Sequence, residues 1–203
     1  MKVAQRPELL HTVVVGTAVT MAGYVVAFLC SSALATFIYN GRGQALDPTN
    51  PWIVFGFAAA SWPAYLGLAV GGRGLEDVTA QVSAAAASLL AVALSATGLL
   101  LLPDAIVVQL LSSVVICALL GGSSMPGEFR RGLGGAIGGG LAGIPLGLME
   151  LGRETVVEWA SANWAYGTET NAAVELSTLL VQAGCAGLAF WILVPLGERL
   201  LDR

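Results

Sequence analysis

Residues 132–147 read GLGGAIGGGLAGIPLG, eight glycines and one proline in sixteen positions. In water this composition opposes a helix, since an interior Gly costs about 1 kcal/mol against Ala and a Pro about 3. The flanking charges point the other way. Arg130 and Arg131 precede the stretch and Glu150 follows it, leaving 18 uncharged residues between them. Roughly 20 residues, at about 1.5 Å each, cross a hydrocarbon layer about 30 Å thick. Inside a bilayer a bare peptide group finds no water, so a spanning segment stays helical even with poor propensity. The stretch reads as a transmembrane helix, and that reading decides the class of fold.

The rest of the chain is divided in the same way. Five further uncharged runs cover 9–41, 48–72, 78–103, 105–127 and 176–197, and every charged residue falls outside the six runs. The chain is 56% hydrophobic and 11% charged, with a mean hydropathy of +0.79, where a soluble domain carries about 25% charge. The expected fold is an all-α membrane protein: a six-transmembrane-helix bundle in a single domain over 1–203. Its helices are expected near 12–39, 52–71, 78–102, 105–121, 132–149 and 176–197. The loop 150–175 reads as an interfacial amphipathic helix, because Glu150, Glu154 and Glu158 recur every four residues while Val156, Val157, Ala160 and Trp164 take another side. Trp159, Trp164 and Tyr166 are then expected at headgroup depth.

Basic residues set the expected orientation. With the N-terminus inside, the inner segments hold Lys2, Arg6, Arg73, Arg130, Arg131, Arg199 and Arg203, and the outer ones only Arg42 and Arg153. Both termini are therefore expected in the cytoplasm, in a multi-pass protein of the cell membrane. Seven acids, Asp47, Asp104, Glu150, Glu154, Glu158, Glu169 and Glu175, collect on the outer side. No basic cluster calls for a nucleic-acid partner. The apolar run Thr12–Ala33 exceeds the usual 7–15-residue core of a signal peptide, so a retained first helix is expected. Eight Arg to one Lys suits a GC-rich prokaryotic genome.

Catalytic constellations are missing from the spans. His11, the single histidine, sits at the edge of the first helix, and Cys30, Cys117 and Cys185 fall in three different spans with no histidine beside them. A rhomboid-like serine protease would need a histidine in the sixth span, which has none. No Walker A sequence and no paired-carboxylate or His-Glu-x-x-His pattern occurs. The expectation is a protein that is not an enzyme and that needs no cofactor or metal.

Two kinds of residue remain as candidates. Gly135, Gly139, Gly143 and Gly147 step by four, widened by Gly134, Gly138 and Ala142, in a glycine-zipper pattern suited to close helix packing. The third helix is the expected partner, through Ala80, Ala84 and Ser88 or Ala87, Ala91 and Ser95. The first helix is the alternative, through Gly16, Thr20, Gly23, Ala27 and Ser31. A partner membrane subunit or a second copy of the chain could also take this face. Pro145 is expected to kink the helix. LAVGGRG at 68–74 and ALLGGSS at 118–124 place Gly-Gly 50 residues apart, a spacing that either an old duplication or two ordinary inner turns would give.

The second kind is polar. Gln109, Ser112 and Ser113 share a face of the fourth span; Thr178 and Gln182 share one on the sixth; Ser61 and Tyr65 lie near mid-depth in the second. They are the candidate solute-binding residues of an outward-facing pocket that takes a small molecule. The functional expectation is a small-solute transporter component. The alternative is an accessory or assembly subunit of a membrane complex, docking through the glycine-rich helix or the acidic outer loop.

Overall fold

Lipid leaves a backbone to satisfy its own hydrogen bonds, and among the described residues the chain does so with helices alone. The computed structural model describes residues 9–42, 50–73, 78–101, 106–123, 128–164 and 168–202. In chain order the helices are α1 (Leu9–Arg42), α2 (Pro51–Ala60), α3 (Trp62–Val70), α4 (Val78–Leu101), α5 (Ile106–Gly122), α6 (Phe129–Trp164) and α7 (Thr168–Leu201). Five apolar stretches are long enough to cross a membrane: Leu9–Ile38, Pro51–Val70, Val78–Gly98, Phe129–Met149 and Val174–Leu201. A sixth, Val107–Gly122, is shorter. The bundle thus has five to six helices that could span a bilayer.

Two of these helices depart from the expected outline. The run Pro51–Val70 is two helices, not one, because Pro63 has no N–H to give to the Ala59 carbonyl. Ser61 sits at the break with φ −80° and ψ −8°. Its N–H is shared between the Phe57 and Ala58 carbonyls, and its hydroxyl also donates to Phe57 at 3.1 Å. Trp62 Nε1 donates to Ser88 Oγ of α4 at 2.8 Å and so pins the broken region to a neighbour. At the start of α2, Asn50 accepts the Trp52 N–H at 3.0 Å, a cap worth about 1 kcal/mol.

The second departure is length. α6 continues through the exposed Pro145 to Trp164, and α7 begins at Thr168, so most of 150–175 is backbone continuous with the two long helices. Glu150, Glu154 and Glu158 therefore do lie on a helix, although their side chains, with those of Trp159, Trp164 and Glu169, are outside the described residues. Lys2, Arg6, Asp47, Asp104, Tyr166 and Arg203 lie outside them altogether.

The glycine-rich segment packs on α5 and α7, not on α4 or α1. Gly135, Gly139 and Gly143 meet the backbone of α5 at Gly121, Cys117 and Ser113, while Gly147 meets Leu110. Gly134 and Gly138, on the adjoining side, meet Gly197 and Leu193 of α7. A Cβ on Gly143 would stand 2.6 Å from the Ser113 oxygen, and one on Gly138 or Gly139 closer still to the Leu193 or Cys117 oxygen. These approaches gain dispersion and weak Cα–H···O contacts that a larger residue forbids. The reason for the different partners lies in the chain itself: α5 and α7 are the sequence neighbours of α6, and Gly121 and Gly197 supply the matching gaps.

The small residues first matched to that stripe serve other contacts. Ala84, Ala87, Ser88 and Ala91 are buried on α4, where Ser88 receives Trp62. On α1, Gly23 meets the Pro63 carbonyl and Gly16 meets the Trp191 ring. Trp191 and Phe190 pack edge to face at 5.3 Å in the core, and Trp191 Nε1 donates to Thr20 Oγ1 at 3.1 Å. The Thr20 hydroxyl in turn donates to the Gly16 carbonyl at 2.8 Å, so the buried indole and hydroxyl are both satisfied.

Candidate functional site

Ser61, Tyr65, Ala69 and Arg73 recur every four residues along the second span, with Ser61 at the break and Arg73 just past the end of α3, so the row drifts by about 40° at each step. Arg73 fixes what the end of this row faces. Its guanidinium donates to Ala69 O at 2.8 Å, Gly121 O at 3.1 Å and Leu120 O at 3.4 Å. It also lies 3.8 Å from the Glu198 carboxylate of α7 and 5.5 Å from the centre of the Trp191 ring. One cation thereby serves the carbonyl-rich, partially negative ends of both α3 and α5. Burial lowers Arg73 to about 10, with Glu198 opposing the shift, so it keeps its charge at neutral pH.

Helical phase relates the residues of α5 to this anchor. On α5, Gln109 stands 11 residues before Leu120, three turns away and within about 20° of the same direction at 100° per residue. Ile116, buried, lies between them. Gln109 therefore lies on the side of α5 that carries Ile116 and Leu120, while Tyr65 on α3 packs against the core that includes Ile116 and Leu120. Ser61, Tyr65 and Gln109 are all half-buried. Their groups are a hydroxyl, a phenol and an amide: neutral hydrogen-bonding chemistry suited to holding a solute.

The other candidates are placed elsewhere. Ser112 approaches Gly98 of α4, with its Oγ 3.1 Å from where a Cβ there would stand. Ser113 lies against Gly143 and Gly147 of α6 and donates to the Gln109 carbonyl at 3.2 Å. Thr178 donates back to Val174 at 2.9 Å. Gln182 shares its direction on α7 with Leu193, 11 residues on, whose carbonyl abuts Gly138; its amide therefore faces α6. It is 5% exposed and its Oε1 has no hydrogen-bond partner. The Thr17 hydroxyl is also buried without a partner, on the side of α1 that meets Gly187.

No protein-family model, curated protein or solved structure matches the chain. The site is therefore read from its chemistry alone. Among the described residues no three His, Cys, Asp or Glu side chains gather as metal ligands, and His11 is exposed on α1.

Sequence reasoning passed over the Arg73–Glu198–Trp191 cluster. A signal for it was present: Arg73 and Glu198 are each the first charge after an apolar run, at ends assigned to the same side. Two opposite charges stranded at one membrane level have reason to meet.

Proposed function

We propose that the chain is a small-solute transporter component of the cell membrane, with both termini cytoplasmic and a polar site opening outward between the second span and α5. Ser61 and Tyr65 bind from one wall and Gln109 from the other, while Arg73 closes the cytoplasmic end. The observation that carries this reading is the break at Ser61 within an apolar run of 20 residues. Ser61 keeps right-handed helical dihedrals, so the break is a proline kink whose polar groups are bonded locally, and discontinuous spans line the binding sites of many carriers. The neutral side chains fit an uncharged or zwitterionic solute held by hydrogen bonds.

The test is native mass spectrometry of the full chain, released from gentle detergent after incubation with a small-molecule extract of its host. The wild type is expected to retain a small molecule that the Tyr65→Phe, Gln109→Ala double variant loses at unchanged folded yield. A wild type that retains nothing, or a folded double variant that retains everything, removes the proposal.

A second reading, an accessory or assembly subunit, is favoured by one feature. α6 and α7 run on as helices beyond Met149 and before Val174, where the apolar windows end, and carry Glu150, Glu154, Glu158 and Glu169. Such an acidic extension suits a partner's basic surface. The same mass spectrum distinguishes the readings, because a retained polypeptide in place of a small molecule supports this one. Docking through the glycine face has less in its favour, since α5 and α7 already cover it.

A further inference from the structure

Among the described residues, four arginines stand at the end of the bundle that holds Arg73, and they are of two kinds. Arg73 is turned inward, onto carbonyls and Glu198. Arg131 holds Asp202 by a two-pronged bond at 2.9 and 2.7 Å and Glu128 at 2.7 Å, so both carboxylates are committed to it. Arg130 and Arg199 are exposed, and among the described residues neither has a carboxylate partner. We propose that Arg130 and Arg199 hold the phosphate of an anionic phospholipid whose acyl chains lie along α6 and α7. This inference does not rest on the solute site.

Helical phase says where this pair points. At 100° per residue, positions 7, 11 and 18 residues away return to within about 20° of the same direction. Counted from Arg130 along α6 these are Ile137, Leu141 and Leu148, which are 51%, 51% and 56% exposed. Counted back from Arg199 along α7 they are Ile192, Leu188 and Val181, which are 39%, 45% and 62% exposed. Each arginine therefore ends an outward apolar stripe, as a residue does where a bilayer passes from chains to headgroups.

The two stripes flank one seam and stop at one level. Gly134 of α6 and Gly197 of α7 touch, and the buried Ala142 and Phe190 mark the core side of that seam. The stripes lie on its other side. Arg130 stands four residues beyond the glycine contact and Arg199 two, so along these antiparallel axes their levels differ by about 3 Å. Glycine contact keeps the axes near the lower end of the usual 8–10 Å or so. Two long side chains on one side of so close a seam can converge on one phosphate, whose oxygens accept from several guanidinium N–H groups.

The site is tested by native mass spectrometry of the full chain in detergent, titrated with phosphatidylglycerol or with phosphatidylcholine of the same acyl chains. The wild type is expected to retain a first phosphatidylglycerol about tenfold or more tightly than phosphatidylcholine, and raised salt should weaken that preference. A basic residue near an anionic leaflet is worth about fivefold in binding. Arg130→Gln and Arg199→Gln should therefore each weaken retention about fivefold, and the pair about 25-fold. Equal retention of the two lipids by the wild type overturns the site, and so does a double Gln variant that keeps the full preference. The wild-type comparison needs no variant, so it decides even where the double variant is poorly made. Excess inorganic phosphate should leave the lipid in place; its displacement would mark a bare anion site and overturn the proposal, as would a polypeptide held there instead. The Tyr65→Phe, Gln109→Ala variant should retain phosphatidylglycerol unchanged, so the solute site and the lipid site fail separately. Loss of the lipid in that variant would put it in the polar site and overturn the present one.

Discussion

α6 and the second span invert what their compositions suggest. α6 carries the run of glycines that water would unravel, yet it is one helix of 36 residues. The second span is apolar throughout, PWIVFGFAAASWPAYLGLAV, yet it breaks after ten. Propensity and continuity are decoupled, as expected of helices long and apolar enough to cross a membrane. A glycine keeps its N–H and so keeps the helical bond that lipid makes compulsory, whereas Pro63 removes one outright. A missing donor does not by itself decide a break, since α6 runs on through Pro145 and α7 through Pro195. At Pro63 the break is completed by Ser61, whose N–H and hydroxyl both turn back on Phe57, and what glycine decides is who may come near.

The first way to break that comparison carries the largest expected effect. Gly139 and Gly140 are neighbours in α6 with the same intrinsic propensity, but a Cβ on Gly139 would overlap the Cys117 oxygen, while one on Gly140 would sit 3.6 Å from Ala118 Cβ. Gly139→Ala should cost about 3 kcal/mol or more by forcing α5 and α6 apart. Gly140→Ala should gain up to about 1 kcal/mol from propensity. Thermal unfolding in detergent checks both, and equal effects at the two positions would refute the packing account.

That pair also shows what the sequence could and could not disclose. The spacing of charges located the spans, because ionic side chains pay heavily inside lipid and are excluded whatever their neighbours do. The glycine stripe was legible as a contact surface, but not its partners, since small residues recur on α1, α4, α5 and α7 alike. Gly121 and Gly197 matter because they arrive opposite Gly135 and Gly134, a fact of register that no single helix records. The same limit applies to the site. Ser61, Tyr65 and Gln109 were legible as polar groups in apolar runs, and Gln182 was legible too, but only the contacts of Leu193 turn Gln182 towards α6. Arg73 looked like an ordinary loop charge because its bonds are to carbonyls of another helix, 47 and 48 residues away.

The second comparison concerns the break itself. Pro63→Ala returns the missing N–H, so the Ala59 carbonyl can exchange its present cap contact for a regular helical bond and α2 and α3 can join. The bond is worth about 1 kcal/mol, and the new residue keeps the apolar surface. Amide exchange of 61–65 in detergent should slow by several-fold, and unfolding should shift to higher temperature. Gly23 lies against the Pro63 carbonyl, so some of that gain is offset where α1 must follow a straighter neighbour. Retention of the small molecule should fall if the break shapes the site. Unchanged exchange at 61–65 would mean that Ser61, with its hydroxyl on Phe57, maintains the break without the proline.

The smallest effect is expected where a polar group is buried without being used. Gln182 Oε1 is buried on α7 without a hydrogen-bond partner, at a cost that replacing it with an apolar group of similar shape removes. Gln182→Met keeps the length and most of the volume, and should change stability by less than about 1 kcal/mol, towards greater stability. Gln182→Ala, which leaves a gap beside α6, should cost about 2 kcal/mol instead. The sign of the Met variant is the informative part. A loss larger than the Ala variant's would show that the amide holds a partner across α6 and α7, and would move Gln182 back among the groups that bind a solute. A gain would leave Ser61, Tyr65 and Gln109 as the polar groups proposed for the site.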